Sequence, residues 1–188
     1  MTELTVADQI EIVEPTRIEL ADGRYIHFHK ESQTKWGMSL DGLILNVSPE
    51  SRLRFIPSEK GRVKIKAGTL VGKVDLIPNN QWEHDPLKRT SALTALLDGV
   101  DNILSVSDLQ DIEQPEFLMN SSNPEMANFM KRFGFINTQP PEKSPPGSVG
   151  MLARTEDFRL KFEEFKAKNP LLIAKLIKRK RDLEDNRK

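Results

Sequence analysis

Three histidines, His27, His29 and His84, are the residues whose type and spacing come nearest to chemistry. His27 and His29 flank Phe28, and Glu31 follows. On a strand, residues two apart share a face. The two imidazoles would then stand side by side with a carboxylate at hand, a set of donors suited to zinc or iron. Strand histidines of this kind are more often simply solvated, so the expectation is no metal and no cofactor, with His27 and His29 the only candidate ligands. Cysteine is absent, which excludes thiol catalysis, thiolate zinc sites and a disulfide scaffold. The chain carries no G-x-S-x-G elbow, no Walker loop and no dinucleotide fingerprint. Carboxylates abound, yet their spacing pairs none across a cleft. The chain reads as non-enzymatic.

Charge is the more informative property. The net charge is zero over 188 residues, but the signs fall into blocks. Residues 3–22 hold six acids against Arg17, and residues 52–73 hold seven basic residues against Glu59. Residues 90–130 contain seven acids (Asp98, Asp101, Asp108, Asp111, Glu113, Glu116 and Glu125) and neither Lys nor Arg. Residues 175–188 carry seven basic residues against three acids. Alternating blocks within a neutral total suggest surfaces that attract one another, within a chain or between copies.

The elements that must position these residues change character along the chain. Residues 1–84 read as an antiparallel β domain. Ile26 and Phe28 alternate with Tyr25, His27 and His29, Leu43, Leu45 and Val47 repeat at period two, and Leu53 and Phe55 are interleaved with Arg52 and Arg54. Residues 62–66 and 69–77 read as two strands of a hairpin with Gly68 supplying the positive φ of its turn. Short strands at this spacing argue for a small barrel or sandwich. Residues 85–137 read as helical and packed on that domain. Asp85 and Pro86 would open a helix that Gly99 ends, Ser107 and Gln110 have capping-box spacing, and Asn123-Pro124 would start a helix with the stripe Met126, Phe129, Met130 and Phe133, closed by Gly134.

Residues 138–150 are proline-rich and read as a linker. Residues 151–188 then form a C-terminal helical arm with a basic tail. Thr155 would cap a helix with the stripe Phe158, Phe162 and Phe165, and Asn169-Pro170 would open a second carrying Leu172, Ile173, Leu176, Ile177 and Leu183. The fold class is therefore α+β: a small N-terminal antiparallel barrel or sandwich, short helices, and a tethered helical arm.

Two short stretches resemble known families. The His27-x-His29 run with Glu31 resembles the first metal motif of cupins, although Gly23 lies closer and Glu31 comes sooner than that motif has them. The run GRVKIKAGTLVGKVDLIP, residues 61–78, looks like the late hairpin of the dUTPase-type β-fold. That likeness implies a β-barrel and carries over no catalytic residue, since the family's Asp motif, Ser-bearing phosphate motif and Gly-rich arm have no counterpart.

An amphipathic arm beyond a linker must bury its stripe on something. The expectation is docking on a protein partner or further copies of the chain, through Phe158, Phe162, Phe165, Leu172 and Leu176. Lys178, Arg179, Lys180 and Arg181 would then meet acidic surface such as the 98–125 block of another copy. Such contacts suit an assembly protein, for example a structural component of a phage or viral particle. The alternative is a nucleic-acid-binding accessory protein using a basic β face (Arg52, Arg54, Arg62, Lys64, Lys66) and the basic tail, with Phe55 and Tyr25 for stacking. No run approaches the roughly 18 apolar residues of a membrane helix, and the acidic start MTELTVADQIEIVEP lacks a secretory signal's basic and apolar regions. A cytoplasmic or virion location without membrane contact is expected.

Overall fold

Ten strands hydrogen-bond into one sheet in the order β1-β2-β3-β4-β7-β8-β10-β9-β5-β6, seen in a computed structural model that describes residues 16–20, 23–40, 42–76, 86–140, 144–172 and 174. The strands are β1 (Thr16–Glu19), β2 (Tyr25–Ser32), β3 (Lys35–Leu40), β4 (Leu43–Pro49), β5 (Arg54–Ser58), β6 (Gly61–Ile65), β7 (Leu70–Leu76), β8 (Phe117–Ser122), β9 (Ile136–Thr138) and β10 (Val149–Arg154). Among the described residues helices accompany them: α1 (Pro86–Ser107), α2 (Pro124–Met130), which runs into a 3₁₀ turn at Lys131–Phe133, and α3 (Thr155–Lys168), after which residues 170–172 and 174 are again helical. The fold is mixed α+β. Among the described residues the sheet is open, with β1 and β6 its terminal strands, and the strands of residues 1–84, expected as a small barrel or sandwich, form part of this one larger sheet.

β1 to β4 are an antiparallel meander, as period-two alternation requires. Ile26, Phe28, Leu43, Leu45 and Val47 are buried on one face, while Tyr25, His27 and His29 point to solvent. The expected hairpin at Gly68 is corrected. Gly68 does turn at φ +83°, but the strands on either side part company there. β6 pairs with β5, whereas β7 pairs with β4 and, in parallel, with β8. The turn is pinned instead to Glu50, whose carbonyl accepts from the Gly68 amide and whose amide donates to Thr69.

The helical middle differs from expectation in three ways. α1 does not stop at Gly99 but runs 22 residues from Pro86 to Ser107. Gly99 is there for close approach, because a Cβ at that position would lie 2.9 Å from Leu43 Cδ2. Ser107 ends this helix rather than opening another, its hydroxyl donating to the Leu104 carbonyl. Then β8 intervenes. The chain passes β7–α1–β8, the crossover that a parallel strand pair demands. α2 begins as its sequence implies: Asn123 Oδ1 accepts from the Met126 amide at 2.8 Å, and Gly134 takes φ +90° beyond the 3₁₀ turn. The cap residue Asp85 and the side chains of Leu93 and Leu96 lie outside the described residues.

The span expected as a linker contributes to the sheet at both ends, Thr138 closing β9 and Val149–Gly150 opening β10. Two cores result, and neighbouring residues of the central strands alternate between them. Leu70 and Val74 of β7, Leu118 of β8, and Met151 and Ala153 of β10 join the helices on one face. Val71, Phe117 and Leu152 face the other way and pack with Ile56 and Ile65 of the β5–β6 hairpin. The hairpin thus covers the face that the helices leave open.

Candidate interaction surface

The aromatic stripe of the C-terminal arm is placed first, because the expected function depended on it. Phe158 and Phe162 are fully buried, at 0% exposure, in the larger core of their own chain. Phe165 is half-buried against that core, 5.3 Å from the Phe133 ring centroid. Phe135 meets Phe158 at 5.9 Å. The expectation that these three rings dock on a partner is corrected, since α2, its 3₁₀ turn and the sheet already bury them. Leu172 is half-buried. Leu176 and the basic residues Lys178, Arg179, Lys180 and Arg181 lie outside the described residues, as do Ile173, Ile177 and Leu183. Thr155 is the first residue of α3 rather than its cap, and its buried Oγ1 has no hydrogen-bond partner.

The acidic block expected to meet a neighbour's tail is engaged inside the chain. Asp98 and Asp101, one turn apart on α1, are 6% and 4% exposed. Asp98 pairs with Arg24 at 3.3 Å and Asp101 with Lys166 of α3 at 2.6 Å. Burial raises the Asp98 carboxyl above its usual 3.8, although the Arg24 guanidinium pulls the other way. Burial lowers the Lys166 ammonium, but its bonds to Asp101 and Glu163 outweigh this and leave it above the usual 10.5. Asp108 pairs with Arg159 at 3.1 Å and Glu116 with Arg154 at 3.3 Å. Arg159, Glu116 and Arg154 line a shallow concavity of about 440 Å³ at the start of α3. Its charges neutralise one another, and it offers no reactive pair.

His27 and His29 sit exposed on β2, and the nearest carboxylate to His29 is Glu31 at 3.6 Å. Among the described residues no group of three or more His, Asp or Glu side chains could hold a metal. His84 lies outside them. Tyr25 is covered by the Arg17 guanidinium, 3.4 Å above its ring, and is thereby taken from the proposed stacking role.

The β5–β6 hairpin is different. Its register sets Phe55 opposite Lys64 and Pro57 opposite Arg62. Ile56 and Ile65 point inward, so these four side chains share the outward face and all are exposed. Phe55 is 55% exposed and Leu53, just before the strand, 48%. Arg52, just before β5, and Lys66, just after β6, stand exposed at the end opposite the hairpin's turn. Arg54 belongs to the inward row instead, and donates to Glu50 at 2.8 Å. Among the described residues none of Arg52, Arg62, Lys64 and Lys66 has an ion-pair partner, in contrast to the cations that face the acidic block. At the hairpin's turn, Lys131 donates to Glu59 at 2.8 Å. That bond, with one from the Asn137 amide, holds the Glu59 carboxyl below its usual 4.5. It also ties the hairpin to the helical layer. The surface is therefore a ledge: an exposed ring and a proline on β5 beside the cations of terminal β6, which have no ion-pair partner among the described residues.

No protein-family model matches the chain, and no curated protein is similar to it. Two solved structures superpose on it in part. An uncharacterized protein from Bacillus halodurans aligns over 82% of this chain and 97% of its own, at 9% identity and a TM-score of 0.40. A structure described as a bacterial toxin aligns over 69% of this chain and 72% of its own, at 11% identity and a TM-score of 0.33. At such scores neither likeness establishes a shared fold or activity.

Among the described residues no helix is long and apolar enough to cross a membrane. Sequence reasoning found Arg52, Lys64 and Phe55 but did not separate Arg54 from them. The signal available was Glu50, four residues earlier and opposite in charge.

Proposed function

We propose that this chain is a non-enzymatic interaction and assembly protein that holds an acidic partner against the outward face of the β5–β6 hairpin. The observation that carries the reading is that, among the described residues, Arg52, Arg62, Lys64 and Lys66 stand around exposed Phe55 without a carboxylate partner, while Asp98 and Asp101 of α1 are matched internally. Unmatched like charges steer an oppositely charged partner and set its specificity. A solvent-exposed ring beside them gives that partner an apolar anchor.

The test is binding of a fluorescent peptide that alternates glutamate and valine, followed by anisotropy. Binding should weaken with salt, because surface charges are screened. It should be lost in the Arg62→Glu/Lys64→Glu variant. Equal binding by that variant, or none by the native chain at low salt, would sink the reading.

A second reading has Phe55 in its favour: base stacking on an exposed ring flanked by cations is how single strands are held without sequence preference. In that case an unstructured oligothymidylate would bind in place of the peptide, with an affinity falling steeply in salt. Four cations make a small footprint for a polyanion, and the acidic partner is preferred.

A further inference from the structure

Away from the hairpin, we propose that the concavity at the start of α3 binds a free α-amino acid. The ligand's carboxylate lies at the helix N-terminus with Thr155 and Arg159, and its ammonium meets Glu116 and Glu156. The concavity measures about 440 Å³, within the ~300–1,000 Å³ of small-molecule sites. Backbone bonds fix its lining. The Thr155 amide donates to the Glu116 carbonyl at 3.0 Å, and the Glu116 amide to the Leu70 carbonyl at 2.9 Å. The first turn of α3 is thereby tied to the chain entering β8, where buried Pro115 adds an apolar wall.

Thr155 is the residue that asks for a ligand. It lines the concavity and is only 5% exposed, yet its Oγ1 has no hydrogen-bond partner. Buried polar groups are nearly always paired, and an unpaired one costs stability. The helix end is open as well. α3 runs 14 residues, and Arg154 at its N-cap gives the first turn no side-chain hydrogen bond. The first amides of a helix lack partners within it, and with the helix dipole they attract an anionic group. A carboxylate seated there accepts from the Thr155 hydroxyl and from amides of the first turn.

The surrounding charges decide what else the ligand brings. Arg159 Nη1 donates to Asp108 Oδ2 at 3.1 Å and to Gln114 Oε1 at 3.3 Å. These bonds orient the guanidinium and leave its Nε and Nη2 without a hydrogen bond among the described residues. Arg154 pairs with Glu116 at 3.3 Å, but both side chains are more than half exposed. Such a pair contributes little, so a ligand opens it at small cost. Glu116 and Glu156 also line the concavity and would repel a bare phosphate or sulfate. A zwitterion satisfies both signs. An α-amino acid carries its two charged groups on one carbon, which suits cations and carboxylates gathered around a single helix turn.

The experiment adds each standard amino acid in turn to the full chain, with binding read by thermal unfolding and isothermal titration. At least one should raise the melting temperature progressively with its concentration, as a ligand of the folded state does. The carboxamide and the N-acetyl derivative of that amino acid each lack one charged end, and each should bind about tenfold or more weakly. Glu116→Gln and Arg159→Gln should weaken the parent amino acid by a similar factor and keep the native circular dichroism spectrum. Thr155→Val separates a ligand contact from a structural one. Valine keeps the shape and removes a hydroxyl that the fold leaves unpaired, so the unliganded variant should melt no lower than native. Its affinity for the amino acid should fall about tenfold.

Four results overturn the inference. No amino acid shifts the melting temperature at any soluble concentration; or the carboxamide or N-acetyl derivative binds as tightly as its parent; or the Thr155, Glu116 or Arg159 variant binds as the native chain does; or unliganded Thr155→Val melts below native, which would give the hydroxyl a partner inside the fold. The hairpin face takes no part in any of these, so the peptide-binding test there stands or fails separately.

Discussion

Replacing Phe162 by alanine puts the placement of the aromatic stripe to the hardest test. The ring is fully buried and has Phe133, Phe158 and Phe165 at centroid distances of 5.5, 5.6 and 6.0 Å. The Lys166 ammonium sits 5.5 Å from its centroid. Truncating a buried phenylalanine typically costs about 3–5 kcal/mol. Three ring contacts, each worth about 0.5–1.5 kcal/mol beyond area, place this site in the upper half of that range, at about 4–5 kcal/mol. For a chain of this size each kcal/mol moves the melting temperature by about 2–4 °C, so Phe162→Ala should melt about 8–20 °C below the native protein. Phe162→Leu, which keeps most of the apolar volume, should lose less than half of that. The assay is thermal unfolding followed by circular dichroism, with light-scattering mass on the same samples. A melting temperature within about 2 °C of native, together with a fall in assembled mass, would refute the reasoning. The stripe would then be buried on a neighbour, as the sequence alone suggests.

Further outcomes follow from other sites. Burial holds the Asp98 carboxyl above its usual 3.8, so the folded chain binds that proton before the unfolded chain does. The resulting contribution to stability is full below about pH 3.8 and is lost as pH rises through the folded value. Denaturant titrations from pH 7 to pH 4 should show the native chain gaining on Asp98→Asn, and parallel curves would contradict this. Gly150→Ala should destabilise by about 1–3 kcal/mol or more, because its Cβ would lie 2.6 Å from Thr138 Oγ1 and 2.7 Å from the Gln139 carbonyl oxygen; an unchanged urea midpoint would show that the β9–β10 contact is looser than described. Arg62→Glu/Lys64→Glu changes exposed side chains only, so its unfolding free energy should stay within about 0.5 kcal/mol of native even as binding is lost.

Legibility in the sequence followed how many faces of an element are buried. β2 and β4 have one solvated face, so their alternation was plain and their inward residues were identified. β8 and β10 pack on both faces, which gives near-continuous apolar runs such as F-L-M and G-M-L-A. No period marks such a run as a strand, and both were read into helical or linker segments. The same cause hid the sheet order, because the pairing of β7 with β8 joins residues 71–73 to 117–119 across a helix. Capping chemistry was readable where it is local, as at Asn123, and misleading where a distant side chain intervened, as at Gly99. As for the surface, the basic hairpin was visible as charge. That its cations lack carboxylate partners among the described residues was not visible, since Arg24, Arg154, Arg159 and Lys166 find their carboxylates only through the fold.

The two-sided burial of the central strands also orders events in time. Ile56 and Ile65 are synthesised well before Phe117 and Leu152, on which they rest. A nascent chain that has completed the meander must therefore carry the β5–β6 pair as an unsupported flap until the ribosome has delivered β10. Long-range pairing of this kind folds slowly and leaves apolar surface uncovered meanwhile. The charges on the hairpin's outward side would keep that waiting flap dissolved, a duty of the cations during birth that precedes any duty they have in the finished molecule.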